Sequence, residues 1–160
     1  MSFKKSSLLG FMFLFACVPT TNTRVSGEPA LLNQETVKVK APEIPLITAE
    51  ELKAKLARNE AVAIIDVRAT TSFADSDTKI KGAVHVKLRR LKYRLGFPPL
   101  KDVPRDREIV TYCACPKDES ALSAARILMD SGFTRVRALK GGWQEWLKVS
   151  GQVERRAKTS

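Results

Sequence analysis

Nowhere in this 160-residue chain does an apolar run approach the roughly 20 residues that a membrane-spanning helix requires. The most apolar stretch, Leu8 to Ala16, is far shorter and follows Lys4 and Lys5, which is the pattern of a secretory signal core. Acidic residues are scarce beside basic ones: 17 Asp and Glu against 28 Lys and Arg, for a net charge of +11. Such a balance favours anionic partners, whether nucleic acid, anionic lipid or small oxyanions. Histidine occurs once, at His85, and cysteine three times, at Cys17, Cys113 and Cys115. A Cys-x-Cys pair with one histidine supplies too few ligands at no recognisable zinc spacing, so neither a metal nor a cofactor is expected.

What is present begins with the leader. Leu14-Phe15-Ala16-Cys17 resembles the lipobox of bacterial lipoproteins, in which a signal peptidase cuts before a cysteine that is then acylated. Residues 1–16 are expected to be a signal peptide, with Cys17 the lipid anchor of a mature chain on the periplasmic, oxidising side of a membrane. Nucleic acid is then not an expected partner. Val18 follows in place of Asp, and by resemblance to Gram-negative sorting this favours the outer membrane. Residues 17–45, rich in Thr and Pro and without sustained periodicity, read as a flexible tether. Residues 152–160 read as a basic C-terminal tail, in which Arg155, Arg156 and Lys158 face Glu154 alone.

Between these lies one candidate domain, 46–151, long enough for a core of its own. Thr48 followed by Glu51 is a capping-box pattern ahead of Leu52 and Leu56. Ala61 to Asp66 reads as a buried strand ending in Asp66-Val67-Arg68. Residues 69–79 are polar and turn-prone with one apolar anchor, Phe73, and a short strand surrounds His85. In Lys87 to Arg94 the leucines Leu88, Leu91 and, just beyond, Leu95 mark one helical face under a basic surface. Ile109 to Tyr112 is β-branched and aromatic, hence a second buried strand. Ala121, Ala124, Ala125 and Leu128 form the stripe of an amphipathic helix that Gly132 is placed to end. Another strand spans Thr134 to Leu139, Gly141-Gly142 turns the chain, and Trp143 and Trp146 begin a last helix. Alternating strands and helices specify an α/β fold with a small parallel sheet and helices on both faces, whose ligand site lies beyond the carboxyl ends of the strands.

Two thiols sit at such an end, in Cys113-Ala114-Cys115-Pro116-Lys117-Asp118-Glu119-Ser120. At a helix N-terminus, unpaired N–H groups and the positive end of the dipole stabilise a thiolate, the nucleophilic form of cysteine. The segments ITAEELKAKL, IIDVR, IKGAVHV, IVTYC, SAARILMDSGFTRV and LKGGWQEW, in that order, together resemble a rhodanese-like domain of the sulfurtransferase family over about Ile47 to Ser150. The resemblance implies a three-layer rhodanese-like fold and a loop cysteine that carries sulfane sulfur as a persulfide, cradled by backbone amides. The chain departs from the family pattern in two places. The loop reads ACPKDES, a two-cysteine CxCP variant, and Lys79 stands where the family often has histidine.

Two cysteines therefore compete for the carrier role. Cys113 directly follows the strand, whereas Cys115 has the loop length to Ser120 that lets amides converge on its sulfur, which favours Cys115. Pro116, Lys117, Asp118, Glu119, Ser120 and Arg68 are the candidate substrate-binding residues. Asp66 is expected to support the site by pairing with Arg68 and tying two loops together. Asp118 and Glu119 suit the helix terminus but oppose a thiolate and repel thiosulfate, with Lys117 a partial offset. A small-thiol or protein persulfide is accordingly favoured as donor over free thiosulfate. The Lys87–Arg94 segment is by default a solvated helix face, and otherwise an anion-collecting rim or a lipid-facing patch.

Other chemistries are weighed on the same residues. A phosphatase or arsenate reductase needs an arginine about six positions after its cysteine to clamp a tetrahedral oxyanion; those positions hold Glu119 and Ala121. A non-catalytic binding module remains open, as does a thiol-redox protein in which one cysteine resolves the other as a labile disulfide.

Overall fold

The computed structural model describes residues 43–156. The expected signal peptide (1–16), the Cys17 anchor and the tether up to residue 42 lie outside the described residues. In chain order the elements are β1 (Leu46–Ile47), α1 (Ala49–Ala57), β2 (Val62–Asp66), α2 (Thr70–Ala74), β3 (Thr78–Ile80), β4 (Val84–His85), α3 (Leu91–Arg94), β5 (Glu108–Tyr112), α4 (Glu119–Asp130), β6 (Val136–Leu139), α5 (Gly142–Lys148) and β7 (Val153–Arg155). Five strands form a sheet in the order β1-β6-β5-β2-β4, every pairing parallel. A separate antiparallel pair joins β3 to β7.

Successive strand residues point to opposite faces of a sheet, and the core divides accordingly. Ile65, Ile109 and Ala138 share one cluster with Ala121, Ala124, Ala125 and Leu128 of α4 and Leu91 of α3. Their neighbours Ile64, Val110 and Leu139 share the other with Leu52 of α1 and Trp143 and Trp146 of α5. This is the expected α/β fold, with its parallel sheet covered on both sides. The buried hydroxyl of Thr111 in the central strand donates to the Ala121 carbonyl at 2.9 Å, so no polar group is stranded there.

Local rules account for most element ends. Thr48 caps α1 by accepting the Glu51 amide at 3.1 Å. The reciprocal half of the expected capping box is replaced by a longer-range contact, because the Glu51 carboxylate takes Arg137 at 2.5 and 3.1 Å. Gly132, at φ +90°, ends α4 in a Schellman motif: its amide donates to Met129 O at 2.9 Å and the Phe133 amide to Leu128 O at 3.1 Å.

Two segments are more ordered than their composition suggests. The polar stretch 69–79 holds α2 and most of β3, and the expected tail 152–160 supplies β7. Each of β3 and β7 is too short to stand alone and exists through pairing with the other, Lys79 opposite Glu154. Lys87–Arg94 bends through a 3₁₀ turn at Leu88–Arg90 before α3, with Leu91 and Leu95 buried and the basic side chains outward.

Candidate active site

Strands β2 and β5 run in parallel register, with Asp66 beside Tyr112, so both expected site segments emerge from the same edge of the sheet. Asp66 and Arg68 are fully buried there. The Arg68 Nε lies 3.1 and 3.0 Å from the two Asp66 oxygens and Nη2 lies 2.8 Å from Oδ2. Nη2 also donates to Thr78 O at 3.0 Å, and the guanidinium packs 4.4 Å from the centre of the Trp143 ring. The Tyr112 hydroxyl donates to Asp66 Oδ2 at 2.6 Å and accepts the Ile80 amide at 3.3 Å. Burial, reinforced by the Asp66 charge and hydrogen bond, pushes the Tyr112 phenol far above its ordinary range. Arg68 thus ties β2, β3 and α5 together beneath the site, and its charge is turned inward.

His85, at the end of β4, is half-buried, stacks on Phe73 with centroids 3.7 Å apart, and has Nε2 3.2 Å from Arg68 O. Lys79 bonds to Ala83 O and pairs with Glu154 at 2.5 Å, so it braces the β3–β7 pair.

From Tyr112 the chain enters the thiol loop. Cys113 is 1% exposed and belongs to the core cluster, whereas Cys115 is half-exposed. The two are joined as a disulfide, Cα atoms 5.7 Å apart. The Ser120 amide, in the first turn of α4, points at Cys115 Sγ from 3.5 Å. The Cys115 amide points at Cys113 Sγ from 3.4 Å. The amide cradle is narrower than loop length suggests. Pro116 has no N–H to give, and the Asp118 amide folds back onto Cys115 O at 3.2 Å.

Asp118 occupies the N-cap position of α4 in left-handed backbone, φ +55°, but makes no side-chain cap. Its Oδ2 instead accepts the Gly141 amide at 2.7 Å, while Oδ1 is buried without a hydrogen-bond partner. The next turn closes on the loop from the other side. The Trp143 amide donates to Cys113 O at 2.8 Å, and a β-carbon on Gly142 would lie 2.2 Å from that same oxygen. Sequence reasoning found Gly141-Gly142 as a turn and Trp143 as core, but not that this turn holds the thiol loop. The adjacent glycines were its one visible signal, since they allow backbone to approach backbone.

The loop lies between two hollows. One, of about 370 Å³, is lined by Val67, Arg68, Thr70, Lys87, Arg89 and the end of the loop at Ser120, among others. The other, of about 430 Å³, is lined by Glu50, Pro116, Asp118, Lys140 and Glu145 among others. Lys117 and Glu119 are exposed on the loop itself. The structure therefore brings Cys113, Cys115, Asp118 and Ser120 together and adds Lys87 and Arg89; Arg68 lines the same hollow as Ser120, with its guanidinium buried against Asp66.

The rhodanese-like domain model matches residues 48–149, from the α1 cap to the end of α5. The chain belongs to the rhodanese-like family. A protein named sulfurtransferase from Allochromatium vinosum is 28% identical over 102 residues, which covers 64% of this chain and 87% of that protein. Among solved structures, the Alr3790 protein from Anabaena is similar with a TM-score of 0.58 at 31% identity, covering 69% of this chain and 82% of the other. A human single-domain sulfurtransferase is similar with a TM-score of 0.55 at 25% identity, covering 65% and 96%. At the level of the family, these likenesses support a sulfurtransferase-like role for this rhodanese-like domain.

Proposed function

We propose that the protein is a sulfurtransferase that carries sulfane sulfur as a persulfide on Cys115. The observation that carries this reading is the position of one sulfur: Cys115 is half-exposed beyond the carboxyl end of β5, and its Sγ faces the Ser120 amide at the start of a twelve-residue helix. Cys113 is sealed in the core, so a donor from solution meets Cys115 first. Once an external dithiol has reduced the Cys113–Cys115 disulfide, the Cys115 thiolate attacks the donor's sulfane sulfur; a new S–S bond forms and the donor's own bond to that sulfur breaks, its leaving group taking the electron pair. An acceptor nucleophile then attacks the outer sulfur and Cys115 leaves as thiolate, a covalent two-step cycle. The helix terminus favours both the thiolate and the persulfide anion.

The CxCP loop selects the donor in this reading. Glu119 and Asp118 add carboxylates at the end of the loop that carries the sulfur, so a small-thiol or protein persulfide should outpace free thiosulfate. Faster loading by thiosulfate refutes that preference. The main proposal is tested by reducing the disulfide, exposing the protein to a sulfane-sulfur donor and measuring peptide masses. One added sulfur on the loop peptide, lost in Cys115→Ser, is the expected result; no added sulfur overturns the assignment.

We further propose that Cys17 is acylated and holds the mature domain on the periplasmic side, at the outer membrane by virtue of Val18. The support is the leader sequence itself. Metabolic labelling with a fatty acid should mark the wild type and not Cys17→Ala; an unlabelled wild type removes the anchor.

A further inference from the structure

We infer that Cys113 resolves the persulfide on Cys115, so that the protein reduces sulfane sulfur to sulfide in addition to passing it on; this rests on Cys115 being the sulfur carrier. Three observations carry it. The two cysteines are already joined as a disulfide, so the loop brings their sulfurs together without rearrangement. Cys113 is 1% exposed, which denies its sulfur to outside donors and acceptors and leaves Cys115 as its neighbouring reaction partner. The Cys115 amide points at Cys113 Sγ from 3.4 Å, a donor that favours the thiolate needed for attack.

The chemistry follows from where each sulfur sits. In the persulfide the inner sulfur is Cys115 Sγ, next to Cys113, and the outer sulfur extends away toward the loop mouth. Cys113 Sγ attacks the inner sulfur. The Cys113–Cys115 disulfide bond forms, the bond between the inner and outer sulfurs breaks, and the outer sulfur leaves with that electron pair as hydrosulfide. The proton that Cys113 gives up balances the charge on the departing sulfide. The sulfane sulfur is reduced by two electrons and the two cysteine sulfurs supply them. Hydrosulfide is the conjugate base of a stronger acid than an alkyl thiol, which makes it the better leaving group.

Turnover then needs a dithiol reductant. Its first thiolate attacks the sulfur of the half-exposed Cys115, which frees Cys113 as the thiolate; its second thiol resolves the mixed disulfide and restores Cys115, leaving the reductant as a disulfide. An external acceptor competes with Cys113 for every persulfide formed. Sulfide release and sulfur transfer are therefore alternative exits from one intermediate.

The test uses reduced, desalted protein under anaerobic conditions, mixed with one equivalent of glutathione persulfide. Released sulfide and intact protein mass are measured together, with Cys115→Ser as the background. The wild type is expected to release roughly one sulfide per chain and to finish two hydrogens lighter than the reduced protein. Cys113→Ala is expected to retain the added sulfur and to lose the sulfide burst; Cys113→Ser serves as a second variant if the alanine protein does not fold. A wild type that keeps its extra sulfur and releases no sulfide overturns resolution by Cys113 while leaving the carrier intact. Undiminished sulfide release from the Cys113 variants overturns it equally. Failure of wild type and variants alike to gain sulfur or release sulfide removes the carrier, and the resolving step with it.

Discussion

Asp118 and Gly141, 23 residues apart, are joined by a 2.7 Å hydrogen bond from the glycine amide to the aspartate carboxylate. The bond couples the end of the thiol loop to the turn that precedes α5. A second strut, from the Trp143 amide to Cys113 O, fixes the beginning of the same loop. The loop is thus held at both ends by one turn, and the left-handed backbone of Asp118 is what aims its carboxylate across the gap instead of into its own helix.

Asp118→Ala should therefore be costly on two counts. It removes a charge-assisted acceptor from the Gly141 amide, worth about 1–3 kcal/mol. The left-handed backbone at this position is strained for either β-carbon-bearing residue, so the second count is only the lost tolerance of aspartate for that conformation, smaller than the first. Asp118→Asn keeps an acceptor and tolerates the same φ, and should lose less than about 1 kcal/mol. Urea unfolding of the three proteins separates these outcomes; an Ala variant as stable as the wild type would show that the strut contributes nothing.

The buried ion pair beneath the site has a sharper signature. Arg68→Met leaves the Asp66 carboxylate buried with the Tyr112 hydroxyl and the residue-68 amide as its hydrogen-bond donors. Breaking one side of such a pair costs about 3–5 kcal/mol, whereas removing both charges is far less damaging. Adding Asp66→Asn to Arg68→Met is thus expected to recover part of the loss, a coupling that a double-mutant cycle measures. Strict additivity of the two substitutions would contradict it.

How much of this was legible depends on how local each signal is. The strand, thiol loop and helix could be read because Ile109–Tyr112 and the stripe Ala121, Ala124, Ala125, Leu128 carry their patterns within a few residues. Gly132 as the stop of α4 is equally local. β7 could not be read: Val153 is the sole apolar side chain in Val153–Arg155, and its partner β3 lies some 75 residues earlier. Asp118 invited a capping assignment, since proximity to a helix start says nothing of a glycine amide 23 residues on. Pairing of Asp66 with Arg68 was legible from their spacing. The inward turn of the guanidinium was not, because Phe73, Tyr112 and Trp143, whose rings receive it, come from three different elements. Loop length favoured Cys115 in sequence, and burial distinguishes the two thiols: Cys113 continues the core of β5, while Cys115 is partly exposed and packs against that core.

Lys87 and Arg89, exposed on the rim of the hollow that reaches Ser120, should speed the encounter with an anionic donor. Replacing both with alanine is expected to slow Cys115 loading by glutathione persulfide by roughly 10-fold at low salt. The deficit should shrink as ionic strength rises, because exposed charges are screened beyond about 10 Å at 0.1 M salt. Stopped-flow loading rates across a salt series test this; a deficit that persists unchanged at high salt would mean the rim acts through packing and not through charge.

Tyr112 gives the fold a one-sided dependence on pH. Burial first, and then the Asp66 charge and hydrogen bond, raise the phenol's pKa in the folded protein. In the unfolded chain a tyrosine ionises near pH ~10. Below that pH both states hold the proton, and the phenol's contribution to stability is complete. Above it the unfolded chain gives up the proton while the folded protein keeps it, so the unfolded state binds fewer protons and stability falls with rising pH. The slope approaches about 1.4 kcal/mol per pH unit for this group alone. Tyr112→Phe removes the ionisable hydroxyl together with its bond to Asp66. It should start less stable at neutral pH yet lose stability more slowly between roughly pH 9 and 11, so that the gap between the two proteins narrows. Chemical denaturation at a series of alkaline pH values measures both slopes; parallel curves would mean that the phenol ionises as readily in the folded protein as in the unfolded chain.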